Sequence, residues 1–512
     1  MLALALLLAQ TQQWHSFERT QLSDTFYSEG ASFADFDRDG HGDVVSGPLV
    51  YFGPDFDTKI EIYPPKPFST QGYSDNFFAF PRDLDGDGWT DLLVVAFPGK
   101  DASWYKNPGG SAGDDLAGGS SKIRKSKGWT RFRAVDQVDN ESPQFEDVNG
   151  DGQPDLVCMT GGRLGWAGFD PEHPELKWTF HPITGDGIGS RFTHGLGIGD
   201  VNGDGRTDLL MKQGWWSQPE SLEGDPEWNF FAHPFAGRGG AQMYVYDVNG
   251  DGLNDVITSD NAHGYGLAWF EQLANSDNTE AAPRFTKHPI LGSSAAENPY
   301  SVVIGNLHAM DMIDMDGDGL LDLVTGARFW AHGGNDIADH EPALVHWFRL
   351  KRTSAGATFV PHLIDEDSGV GTQVVAGDVN GDGLPDVVVG NKKGTFIHLS
   401  KARTINDGEF RTLMLQAVLD AKERVGGHRV KGIDPVGADG KTLNLGFERG
   451  DLSGWIAEGG AFEGQPVKGD TVKPRRTTDR SGHQGDWWIG GFEIVQDGPT
   501  GTLTSDAFTV TH

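Results

Sequence analysis

Seven times along the chain the residues follow D-x-[DN]-x-D-G-x-x-D, with oxygen-bearing side chains at positions one, three, five and nine and glycine at six. The sets are Asp35, Asp37, Asp39 and Asp43; Asp83, Asp85, Asp87 and Asp91; Asp147, Asn149, Asp151 and Asp155; and Asp200, Asn202, Asp204 and Asp208. The remaining three are Asp247, Asn249, Asp251 and Asp255; Asp314, Asp316, Asp318 and Asp322; and Asp378, Asn380, Asp382 and Asp386. Hard oxygens at this spacing, with a glycine to let the loop turn sharply, suit a cation of calcium size, which takes six to eight oxygen ligands. The loops are not EF-hands: position twelve is Ser46, Val94, Cys158, Met211, Thr258, Thr325 or Val389, never the closing glutamate. Up to seven Ca2+ ions are expected, at the roughly 10⁻⁴ to 10⁻³ M affinity of extracellular modules.

A second constellation lies six residues before each opening aspartate: Glu29, Phe77, Glu141, His194, Ala241, His308 and Thr372. If the loops end equivalent strands, these residues share one level. Two glutamates and two histidines there can ligate a Zn2+- or Mn2+-like ion, or act as acid and base. Connections expected at the same level carry His263 and His332, with Lys100, Arg163, Trp215, Trp216, Arg328 and Lys392; Gln242 and Gln373 stand next to Ala241 and Thr372. Aromatic faces beside charged and amide groups hold pyranose rings, whose C–H faces stack while their hydroxyls hydrogen-bond. A glycan or sugar is the expected ligand, with a protein partner as the other possibility.

The elements that must position these residues are strands. Each loop runs into an apolar β-branched stretch such as Asp43-Val-Val-Ser or Asp386-Val-Val-Val. A further strand per unit is marked by Trp178-Thr-Phe-His181, Trp228 to His233, Phe285 to His288 and Phe359 to His362, and another by Trp104, Trp269 and Trp347. These tryptophans and histidines read as packing between units. Four strands per unit, with motif starts 48, 64, 53, 47, 67 and 64 residues apart and no helical period, predict an all-β chain: a seven-bladed β-propeller with calcium-binding hairpin loops. Trp14 to Leu22 and Phe410 to Leu415 both look like outer strands, one more than the blades need, so one of them closes the ring.

Composition narrows the partners. The 512 residues hold 41 basic against 74 acidic side chains, a net charge of −33 that would repel nucleic acid or an anionic membrane surface. Residues 1–13 read as a signal peptide around the apolar run Leu2 to Ala9, too short to insert across a bilayer, so a secreted, periplasmic or cell-surface location is expected. The lone Cys158 cannot form an internal disulfide. Residues 416–442 read as a linker, and 443–512 as a partial β-sandwich module.

The seven loops and their flanking strands resemble the FG-GAP, or VCBS, repeats of integrin-like propellers and of many secreted bacterial proteins. The resemblance covers residues 14–415 and implies the propeller fold and calcium. The segment from Leu443 to Trp455 is similar to the start of jelly-roll modules attached to secreted carbohydrate-active proteins. In architecture the chain is also distantly similar to the propeller of aldos-2-ulose dehydratase, which implies a sugar-directed lyase with bound metal. Two readings of function stand at this point: an exported propeller that binds carbohydrate or a protein at its channel mouth, or a metal-assisted carbon–oxygen lyase acting on a sugar by proton abstraction and β-elimination. Glu29, Glu141, His194 and His308 converging, with His263 or His332 nearby, would mark the enzyme.

Overall fold

A computed structural model describes residues 11–109, 123–124, 126–274, 283–298, 300–354, 356–406, 408–409, 412–413, 443–444, 446–469, 471, 486–490 and 500–505. Two compact units divide between Val425 and Gly426. Residues 1–10 of the expected leader and the expected linker 416–442 lie outside the described residues.

The first unit is a β-propeller. Each motif begins at the end of an inner strand and turns into a second strand; a third and an outer strand follow as an antiparallel meander. The inner strands are Ser32–Ala34, Phe78–Arg82, Gln144–Glu146, Leu196–Gly199, Gln242–Tyr246, Leu307–Ile313 and Val374–Gly377. Five four-stranded sheets stand alone, against the seven separate blades expected. Motifs four and five instead share one eight-stranded sheet, because the inner strands Leu196–Gly199 and Gln242–Tyr246 pair in parallel, Leu196 with Gln242 and Ile198 with Tyr244. Glycines permit this approach: a Cβ on Gly197 would lie 2.5 Å from the Met243 carbonyl oxygen, and one on Gly199 would lie 2.6 Å from Val245 Cβ.

The ring is closed by the N-terminal strand. Thr11–Ser23 pairs antiparallel with Gly394–Asn406, from Thr11 opposite Asn406 to Ser23 opposite Thr395. Thr11 to Gln13 pair as the start of this strand. Of the other expected outer strand, Phe410 to Leu415, all but residues 412–413 lie outside the described residues.

Rings on the third and outer strands stack within one sheet rather than between units, because each pair is directly opposed in register. Trp166 stacks on His181 at 4.1 Å between ring centroids, Trp269 on His288 at 4.4 Å and Trp347 on His362 at 4.4 Å. In the second unit, Trp455–Gly459 pairs with Gly501–Ser505, and Val467–Lys468 with Trp487–Trp488.

The loops hold their shape by giving carboxylates backbone N–H donors. In every motif the position-one aspartate accepts the N–H of the position-six glycine, for example Gly88 to Asp83 and Gly383 to Asp378, both at 2.8 Å. All seven glycines have φ between 83° and 92°, where a side chain is strained. The buried position-nine aspartate accepts the N–H that follows the opening aspartate, such as Phe36 to Asp43 at 2.8 Å and Val248 to Asp255 at 2.9 Å. Burial pushes these carboxyls up, to about 8 in Asp43 and Asp322 and about 6 in Asp255 and Asp386.

Two outcomes are expected. A variant lacking residues 1–23 should lose the cooperative unfolding transition seen by circular dichroism, since the last blade then exposes an unpaired edge. Folding also raises the position-nine carboxyls above the ~4 of an unfolded aspartate. Their contribution to the metal-free fold is thus fully present below that value and lost as pH rises through 6 to 8. Melting curves of chelator-treated protein should fall over that interval, whereas added calcium should flatten the dependence.

Candidate functional site

The residues six before each motif do lie at one level where the inner strands begin. Backbone hydrogen bonds tie neighbours together there: Glu29 N to Asn76 O at 2.9 Å, Thr372 N to Glu29 O at 2.6 Å and Glu141 N to Thr193 O at 2.9 Å. Phe77, Ala241 and Thr372 fill their share of the channel with buried, non-titrating groups. Glu141, His194 and His308 turn toward one another.

His263 joins them from the connection between Asp255–Ser259 and Leu267–Leu273. One ligand atom from each of Glu141, His194, His263 and His308 lies within 4.8 Å of all the others. His194 Nε2 is 3.1 Å from His308 Nε2 and 3.0 Å from His263 Nε2. Glu141 Oε2 is 3.0 Å from His308 Nε2 and 3.6 Å from His194 Nε2. Three imidazole nitrogens and one carboxylate oxygen thus face a common point.

Proton placement gives this geometry its meaning. Burial lowers the pKa of His194, His263 and His308, with the Arg328 charge acting in the same direction, so all three are neutral at pH 7. A neutral imidazole carries one N–H. That of His263 is committed at Nδ1 to Asp336 Oδ2, 2.9 Å away. That of His194 is held by the Phe192 backbone. The His194 and His263 Nε2 atoms therefore present lone pairs to each other at 3.0 Å with no proton between them. A cation at the common point removes the repulsion, and three histidines with one carboxylate suit a zinc- or manganese-like ion. Burial alone would raise the Glu141 carboxyl, but the hydrogen bond with His308 and the Arg328 charge hold it well below the usual range, as a ligand requires.

Around this centre stand the remaining charged groups. Arg328, only 2% exposed, forks between Glu141 Oε2 and Glu29 Oε2, 3.3 Å from each. Glu29 therefore reaches the centre through Arg328 rather than directly, and its burial outweighs the Arg328 charge and raises its pKa. Lys392 Nζ donates to the carbonyls of Trp330 and Ala331, both at 2.9 Å, and lies 4.7 Å from the Tyr73 ring centre. His332 Nδ1 is 2.8 Å from both oxygens of Asp336, so one carboxylate orients two histidines. Beside His332 runs an aromatic wall: Tyr73 and Phe97 are 5.5 Å apart, as are Phe97 and the exposed Phe192.

Several residues expected at the mouth are elsewhere. Trp215 and Trp216 are buried on the third strand Gly214–Ser217, stacked on Phe231 at 4.5 Å and packed on Phe230 at 4.7 Å, because the strand begins immediately before them. Gln242 and Gln373 are buried clasps between inner strands: Gln242 accepts from Met310 N and donates to Thr372 O, while Gln373 accepts from Ala79 N and donates to Ala79 O. With both ends of each amide engaged, neither is available to a ligand. Arg163 is exposed and pairs with Asp186, and Lys100 lines a separate cavity of about 530 Å3 with Tyr63, Tyr105, Trp129 and Arg131. Residues that the sequence reasoning missed are Asp336, Tyr73, Phe97 and Phe192; for Asp336 the one available signal is its position four residues after His332.

Comparison with known proteins supports the repeats. The FG-GAP-like repeat family matches residues 147–211 and 314–389, so the chain carries FG-GAP-like repeats. No curated protein matches the chain. Among solved structures, a lectin of Agrocybe aegerita that recognises non-reducing terminal N-acetylglucosamine is 15% identical over 77% of this chain and 86% of its own, with a TM-score of 0.38. BBS1N, solved in complex with ARL6DN, is 11% identical over 64% of this chain and 92% of its own, with a TM-score of 0.33. At these scores neither likeness bears on function.

Asp336→Asn keeps the shape of the residue that aligns His263 but removes its charge. Loss of such an outer partner typically weakens metal binding about 10- to 100-fold. Competition with a chromophoric zinc chelator should read that loss, while the calcium-loaded melting temperature stays within a degree or two of wild type, the range expected of a near-isosteric change outside the core.

Proposed function

We propose that this FG-GAP-like propeller is an exported, calcium-stabilised protein that holds one zinc- or manganese-like ion at its channel mouth and uses it as a carbon–oxygen lyase on a sugar. The observation that carries the reading is the convergence of Glu141, His194 and His308 with His263, whose own proton is committed to Asp336. A site that only bound glycan would have no need of that arrangement.

The chemistry fits an acidic or keto sugar. An ion on the four ligands would polarise a substrate carbonyl or carboxylate oxygen and make the neighbouring C–H acidic. Arg328 and Lys392 add positive charge on the same side, and Tyr73, Phe97 and Phe192 offer a wall on which the C–H face of a ring can lie. His332, oriented at Nδ1 by Asp336 and partly exposed, takes the proton at Nε2. The C–H electron pair becomes the second bond of C=C, the β C–O bond breaks, and the departing hydroxide receives the proton from His332 and leaves as water. Atoms and charge balance without an oxidant.

The reading in which the mouth binds a glycan or protein without turnover keeps the aromatic wall and gives the three histidines no task. Among the described residues no helix is long and apolar enough to cross a membrane.

Elemental analysis of the purified full chain should find about one equivalent of transition metal, as expected for one site of this donor set. His194→Ala and Glu141→Gln should lose it. Acidic and keto sugars should then give an unsaturated product detected by ultraviolet absorbance, at least ~10²-fold slower with His332→Ala, the usual contribution of a positioned acid or base. Metal retained in both ligand variants would refute the centre. Metal lost from them, with no product from any sugar but binding on a glycan array, would favour the lectin-like reading.

A further inference from the structure

The seven loops fall into two classes, and a residue outside the motif tells them apart. In loops one, two and six the third position is aspartate, and each time a basic side chain bridges positions three and five. Arg124 pairs with Asp37 and lies 2.7 Å from Asp39 Oδ2. Lys106 pairs with Asp85 and lies 3.0 Å from Asp87 Oδ2. Arg349 is 2.5 Å from Asp316 Oδ2 and 3.0 Å from Asp318 Oδ2.

In the other four loops the third position is asparagine. Its own amide meets the same Oδ2 of position five, at 3.0 Å in Asp151 and Asp204 and at 3.2 Å in Asp251 and Asp382. Among the described residues, one basic side chain reaches a carboxylate of these four loops: Arg206, on Asp204, from within its own motif.

Lys106 and Arg349 occupy one repeat position, the third-strand residue just before the backbone N–H that binds the position-nine aspartate. The N–H groups are those of Asn107 and Leu350. At that position the asparagine loops four and five carry Ser217 and Glu271, which accept from Asn202 and Asn249 at 3.2 and 3.3 Å. Loop one carries Phe52 there, and Arg124 arrives from elsewhere in the chain to lie 4.8 Å from the Phe52 ring centre. An acidic third position is thus matched by a cation in all three cases, by two different routes.

The match follows from electrostatics. In these three loops, three carboxylates bring oxygens within 4.8 Å of one another: Asp35, Asp37 and Asp39; Asp83, Asp85 and Asp91; Asp314, Asp316 and Asp322. Asp37 is fully buried and the Asp316 side chain is 6% exposed, so water does not screen them. A buried charge requires a partner, and a neutral amide at position three does not.

We infer that Arg124, Lys106 and Arg349 are built-in counter-ions that take the place of a divalent ion in loops one, two and six, leaving calcium to the four asparagine loops. The inference rests on the calcium reading of the motif. Equilibrium dialysis of the full chain against calcium tests both, and it does not involve the histidine centre. Wild type should bind about four ions rather than seven, each asparagine loop supplying one oxygen-rich site. Lys106→Ala with Arg349→Ala should raise the count to about six, and Lys106→Arg should leave it at four. About seven ions in wild type would overturn the inference and leave the calcium reading intact, whereas none would overturn both. An unchanged count in the folded double variant also defeats the inference; if that variant does not fold, the wild-type count decides alone.

Discussion

Crowded carboxylates must be given positive charge or N–H donors, and the fold is arranged around that requirement. Within each motif position one takes the glycine amide and position nine takes the amide after the opening aspartate. Position nine also receives an N–H from the end of the third strand in most units, such as Gly53 to Asp43 and Ser400 to Asp386. One buried aspartate thereby joins the inner strand, the hairpin and the third strand of its sheet. The net charge of −33 reflects the use of the same acidic device seven times.

The mouth solves the opposite problem. There the carboxylates are few, the histidines are neutral, and the crowded groups are lone pairs. Arg328 supplies permanent charge to Glu29 and Glu141, and Asp336 fixes the tautomer of His263. One nitrogen of each histidine and one oxygen of Glu141 are left directed to one place. Ligand basicity and ligand direction are set by residues that do not themselves touch the common point.

Much of this was legible in the sequence because a repeated motif fixes strand register. Once seven aspartates mark equivalent strand ends, counting back six residues locates Glu29, Glu141, His194 and His308 without any knowledge of packing. His263 and His332 followed from the same count applied to the next connection. Asp336 was hidden because its meeting with His263 depends on how two long connections from different sheets fold together, which no local period encodes. Trp215 and Trp216 were misplaced by one structural step, since a Gly-Trp-Trp that starts a strand and one that ends a turn look alike in sequence. Gln242 and Gln373 were misread because amide groups serve a backbone as well as they serve a sugar. The shared eight-stranded sheet was illegible for a different reason: Gly197 and Gly199 act by lacking a Cβ, and absent atoms leave no pattern.

Register also explains how the acidic loops and the histidine cluster can share the same strands. The six-residue offset between a mouth residue and the opening aspartate of its loop spans about 20 Å of extended chain, enough to separate the two ends beyond the screening length at physiological salt. The loop end is anchored by the position-nine aspartate, and side chains alternate faces, so an even offset from the anchor returns the same face each time. A slip of one residue in the strand leading to Asp200 would turn His194 away from Glu141 and His308 and replace it with Thr193 or Gly195. The acidic loops therefore contribute to the mouth without approaching it: by holding each inner strand to one register, they determine which residues of the chain meet there.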